Sequence, residues 1–253
     1  MLGKRQINQL SALAIWLATL VIALVFLLSR IDLAQQFDNA AAAREQQVVA
    51  NGISNLIRET ADASISEAVW DEAVAHLDNA FDPDWAHENV GIFYSESEGF
   101  EVALVLSPDD AVVYAMRDGA EVGAQAVGDI HSGARALVAQ VRAQEATRGP
   151  LAPLVARGET ISSPVLATAI ARVGGKPYAL TAVLVQPDFG NAMPRGDRAP
   201  IIVTGEAIDQ SIVDRLASQF MLRDAHFHDG EVVHADRAFT AIRDSSGQVV
   251  ATL

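Results

Sequence analysis

The segment ISEAVWDEAVAHLDNAFDPDW, residues 65–85, gathers the side chains best suited to binding chemistry. Trp70 stands directly before two acids, Asp71 and Glu72, and a second indole, Trp85, closes the segment. An indole face attracts a cation, and a carboxylate adds charge-assisted hydrogen bonds. Trp70, Asp71, Glu72 and Trp85 are therefore candidate ligand-binding residues for a small ligand with a cationic or hydrogen-bonding group. The same residues also suit a packing role. Two Trp rings would plug the joint between a helix and a sheet, and Asp71 would bond nearby backbone. From the residues alone both readings stand.

Other chemistry finds little support. The chain has no Cys, which rules out disulfides and thiolate metal sites. There is no Gly-x-Ser-x-Gly elbow, and Gly119-x-x-x-Gly123 lacks the Lys-Ser or Lys-Thr of a phosphate loop. HFHDGEVVH carries His226, His228 and His234. If Asp229-Gly230 is a two-residue hairpin turn, His228 faces Glu231, His226 faces Val233 and His234 pairs with Ala225. Alternation then divides the histidines between the two sheet faces. Two His and Glu231 remain, a weak set for catalytic zinc, which typically has three protein ligands. No catalytic residue, metal or cofactor is expected, and the chain is not read as an enzyme. Arg195-Gly196-Asp197 spells an adhesion tripeptide, but in a Gly/Pro-rich loop it reads as chance.

Several elements must position these residues. Residues 7–28 are uncharged, and a 22-residue helix at about 1.5 Å per residue spans the roughly 30 Å hydrocarbon core of a bilayer. The stretch is too long for a signal-peptide core and has no small-residue cleavage site directly behind it. Lys4 and Arg5 place residues 1–6 in the cytoplasm, so the main domain is expected in the periplasm, anchored to the inner membrane. Of the chain's 18 basic and 32 acidic residues, Lys4 and Arg5 are set aside. The rest carry a net charge of −16, which disfavours nucleic acid and anionic lipid headgroups as partners.

Beyond the anchor, apolar residues from Leu33 to Val69 recur mostly three to five apart, predicting a long helix over 29–80. Its narrow stripe suits a parallel homodimer. Asp82-Pro83 marks a turn that allows a helical restart, and residues 85–90 are expected as one short helix. Strands are expected at 100–107 and 111–117, a helix at 129–146, and a hairpin about Gly174-Gly175. Residues 187–200 form a loop, followed by strand 201–206, helix 208–220 and strands at 223–228, 238–243 and 248–253. Tight turns require antiparallel pairing, so residues 81–253 read as an α+β domain, one antiparallel sheet with helices on a face. The strand ending at Leu253 is expected to mark a truncated chain.

Residues 68–119 resemble the fourth subclass of CHASE domains. The resemblance rests on Trp70-Asp71 with Glu72 in place of a second Asp, on Trp85 with Asn89-Val90-Gly91, and on the following strand pair. Residues 182–227 also resemble that family. Where many such sequences carry another Trp, this chain has Glu67. The resemblance implies a Cache- or PAS-like fold and an extracytoplasmic sensory role in bacterial receptors. Such receptors often regulate cyclic-di-GMP turnover through a cytoplasmic output, after a second transmembrane helix. The competing expectation is a membrane-anchored binding or assembly module of the envelope with no small-molecule pocket.

Overall fold

A computed structural model describes residues 4–148, 151, 163–222, 225–232, 239–244 and 246–253, without the side chains of residues 4–15 and several others as far as 39. The first helix, α1, runs Lys4–Ile65. By its contacts the chain divides into two units, with the boundary after Val48. In the first unit, Trp16, Leu17, Leu20, Val21, Ile22, Leu24, Val25, Phe26 and Leu27 are all more than half exposed. Among the described residues no helix is long and apolar enough to cross a membrane. Part of the expected anchor over 7–28 lies on side chains outside the described residues.

In the second unit, α1 stops at Ile65, so the expected unbroken helix to about residue 80 is corrected. Residues 66–68 turn, and Val69 forms an isolated parallel bridge with Gln186. Trp70 is extended, at φ −157° and ψ 137°, and helix resumes as α2, Asp71–Ala73, which widens into a π-helix over Val74–Asn79. After the Pro83 turn, α3 spans Pro83–Ala86 and continues as a second π-helical stretch, His87–Ser97. That stretch is longer than the short helix expected there. Gly91 within it permits close packing, since a Cβ built there would lie 2.0 Å from the Tyr114 hydroxyl.

The main sheet comprises β1 (Val102–Leu106), β2 (Val112–Arg117), β3 (Ala120–Glu121), β4 (Leu166–Val173), β5 (Lys176–Leu184) and β6 (Ile201–Ala207), in the order β3-β2-β1-β6-β5-β4. Every pairing is antiparallel. The β4–β5 hairpin turns on Gly174 and Gly175, at φ 56° and 90°. Two positive φ values are what a two-residue primed turn demands, and Gly adopts them without a Cβ clash.

Both faces of this sheet are covered, rather than the one expected. Helix α4 (Gly128–Arg148) packs on the face that holds Leu104, Leu180 and Val203. The opposite face carries Ala103, Val105, Val183 and Ile202 against Ala68, Val74, Leu77 and Tyr94. Further along, Ile53 and Leu56 of α1 meet Ala179 and helix α5 (Gln210–Phe220). Strands covered on both sides lose polar alternation, and β1 is buried along its whole length.

A second sheet, β7 (His228–Asp229), β9 (Val249–Thr252) and β8 (Ala241–Arg243), shares no ladder with the first but packs on it, with Ile242, Val250 and Ala251 against Ile170 and Ala179. His228 pairs with Thr252, not with Glu231, so the expected Asp229-Gly230 hairpin is corrected. His234 lies outside the described residues. The first residues of the expected 223–228 and 238–243 strands also fall outside them.

Candidate functional site

The break after Ile65 turns Trp70 out of the helical path and onto Trp85. Their rings lie 5.7 Å apart and tilted by 44°. Both indoles are half-buried. His76, on the π-helix, stacks on the other ring contact of Trp85 at 5.3 Å, with only 4° between planes. The result is a partly exposed row of three aromatic rings, Trp70, Trp85 and His76. Indole faces carry negative electrostatic potential, so such a row suits a flat or cationic group.

Asp82 fixes the turn that brings Trp85 there. Its Oδ1 accepts from the Asp84 and Trp85 amides, both at 3.1 Å, capping the helix that Pro83 begins. Its Oδ2 lies 3.2 Å from Nδ1 of His76. The Trp85 amide bond holds the Asp82 carboxyl below its ordinary pKa, with His76 adding to the effect. Asn89 donates from Nδ2 to the Trp85 carbonyl at 3.0 Å.

Asp71 does something else. It is buried, and its carboxylate accepts from the amides of Gly190 at 2.9 Å and Asn191 at 2.8 Å, and from Asn191 Nδ2 at 2.7 Å. Its own amide donates to Asp188 Oδ1 at 3.1 Å. One helical stretch further, buried Asp78 accepts from the Arg195 amide at 2.8 Å, while the Arg195 guanidinium donates to the Asn79 carbonyl at 2.9 Å. The loop between β5 and β6 is thereby clasped to the segment that bears the aromatic row.

The far end of the same loop is held from the other sheet face. The Arg142 guanidinium donates to Asp110, Glu145 and the Ala199 carbonyl, and buried Glu145 accepts from the Ala199 amide at 2.7 Å. Arg198 adds a 2.7 Å bond to Asp110. A carboxylate that accepts several fixed donors gains structure and has few lone pairs left for a ligand.

The four expected site residues thus part company. Trp70 and Trp85 meet. Asp71 lies next to them in sequence, yet its oxygens are committed to the 188–191 loop. Glu72 is exposed. Glu67, where many of the resembling sequences carry another Trp, is half-buried, and burial raises its carboxyl pKa. His76 and Asp78 escaped the sequence reading. His76 lies six residues from Asp82 and nine from Trp85, a spacing that matches no regular helical face.

The CHASE4 domain model matches residues 53–228 of the chain. No curated protein matches it significantly. The match covers more than half of the sequence, and the chain belongs to the CHASE4 family of sensory input domains.

Proposed function

On the premise of a CHASE4 sensory module, we propose that this chain reads an extracytoplasmic signal for a bacterial transmembrane receptor, with the Trp70–Trp85–His76 row as its reading surface. The observation that carries this reading is the half-exposed aromatic row mounted on a clasp. The ligand is a small molecule with a cationic or hydrogen-bonding group, recognised by Trp70 and Trp85, with Glu72 at the exposed edge. Asp71 serves the site as the clasp of the 188–191 loop. A ligand that favours one clasp geometry over another shifts the equilibrium between two states by that difference in affinity.

The membrane context is part of the same proposal. Nine large apolar side chains between Trp16 and Leu27 are exposed, several of them consecutive, and so they face more than one side of the helix. A bilayer is the solvent such a surface suits. Residues 7–28 are the anchor, and the domain is periplasmic. Two copies of α1 side by side would relay the signal to a cytoplasmic output such as cyclic-di-GMP turnover.

The test uses the full chain in lipid nanodiscs and follows tryptophan fluorescence across a panel of small metabolites and cations. A binder should change the emission of wild type and lose affinity in both Trp70→Ala and Trp85→Ala. A binder whose affinity survives both substitutions would refute the assignment of the reading surface.

A further inference from the structure

A cavity of about 220 Å³ opens between α1 and α5, well separated in composition from the aromatic row, for it is lined by neither Trp70, Trp85 nor His76. Its apolar lining includes Leu56, Phe100 and Leu216, all buried. Its charged lining is unbalanced: Glu59, Glu98 and Glu206 against the single guanidinium of Arg215. Glu59 and Glu98 are exposed, whereas the Glu206 side chain is only 17% exposed. Arg215 bonds one Glu206 oxygen, Oε1, at 3.0 Å.

The size and chemistry select an occupant. The volume falls below the roughly 300–1,000 Å³ of drug-sized pockets, so the ligand is small. Three carboxylates repel an anion and attract a cation, and a buried apolar lining rewards a hydrocarbon body by about 25 cal/mol for each Å² removed from water. Burial raises the Glu206 pKa, and Arg215 opposes that rise only in part. A cation entering beside Glu206 therefore relieves an unfavourable burial of charge.

We propose that the α1–α5 cavity is a second ligand site, taking a small organic amine whose ammonium pairs with Glu206, Glu59 and Glu98 while its apolar body packs on Leu56, Phe100 and Leu216. This site borders α1 directly, so its occupancy acts on the helix that carries the proposed signal. It goes beyond the aromatic reading surface and does not depend on it.

The experiment is calorimetric titration of the full chain in nanodiscs with 2-phenylethylamine, and in parallel with 3-phenylpropionate, an anion of similar body. The amine should bind and the acid should not. The double rim variant E59Q/E98Q alters two exposed side chains and should fold normally. It should weaken the amine at least about tenfold, as should Glu206→Gln. Equal binding of acid and amine, no binding of the amine to wild type, or undiminished affinity in E59Q/E98Q would each overturn the proposal.

Discussion

Two sets of carboxylates flank the same helix–sheet layer and are put to opposite uses. Around the 188–195 loop, Asp71 and Asp78 are buried and their oxygens are taken by backbone and side-chain donors. Around the α1–α5 cavity, Glu59, Glu98 and Glu206 surround open volume with one guanidinium among them. The residue types are alike, and their donors differ. Where a loop brings amides to a carboxylate, the charge becomes a fastener. Where packing leaves a gap, the charge is left to attract a ligand.

The comparison breaks most readily at Asp71. Replacing it by Ala removes an acceptor of three hydrogen bonds from a buried position. A charge-assisted set of this kind is worth about 3 kcal/mol after allowance for non-additivity. Thermal unfolding of the full chain should drop by roughly 6–12 °C. An unchanged midpoint would show that Asp71 fastens nothing. Asp78→Ala loses the Arg195 amide bond and should cost less, about 1.5 kcal/mol by the same measurement. A larger loss at Asp78 than at Asp71 would reverse the order of the two fasteners.

The sequence offered Asp71 as a residue that bonds nearby backbone but showed the true partner of neither fastener, and the reason is distance along the chain. The partners of Asp71 lie 117–120 residues away, in a loop with no periodic signal. Local rules fared better where the determinant is local. Gly174-Gly175 announced the β4–β5 turn because positive φ is a property of two adjacent residues. The strands at 100–107 and 111–117 and the helix at 129–146 appear within a few residues of their expected bounds. The long-helix reading failed at residues 66–70, because Val69, Val74 and Leu77 keep near-helical spacing although Trp70 is extended. Periodicity reports which face is apolar and is blind to a short break that preserves the face. The Trp70–Trp85 pair was legible as a pair. His76 was not, since a π-helix widens the turn and moves its side chains off the 3.6-residue pattern.

The cavity side can be loosened without touching its charges. Asp209 caps α5, its Oδ1 accepting from the Ser211 amide at 2.8 Å and hydroxyl at 2.6 Å. Asp209→Ala should cost about 1 kcal/mol and speed hydrogen exchange in the first turn of α5. Exchange at the wild-type rate in that turn would show that α5 is held by packing on Ile212 and Leu216 alone.

The smallest effect discriminates most finely, because it carries a sign. Glu206 is held between β6 and α5, with Arg215 bonded to it and Glu101 and Asp209 adding like charge. Burial is the largest influence and raises its folded pKa above the ordinary 4.5. Between that ordinary value and the raised one, the folded chain keeps a proton that the unfolded chain has released. Stability must therefore fall as pH rises through this window. Asp209 has the opposite sign: burial is its largest single influence and raises its pKa, but the bonds from Ser211 and the Ile212 amide, with Lys176 nearby, together lower it, so its contribution is present at neutral pH and is lost as pH falls through the lowered pKa. Glu206→Gln cannot ionise. Measured by denaturant unfolding from pH 4 to 7, the stability of wild type minus that of Glu206→Gln should decline with rising pH. A difference that grew instead would mean that Arg215 outweighs burial, and Glu206 would then join Asp71 among the fasteners.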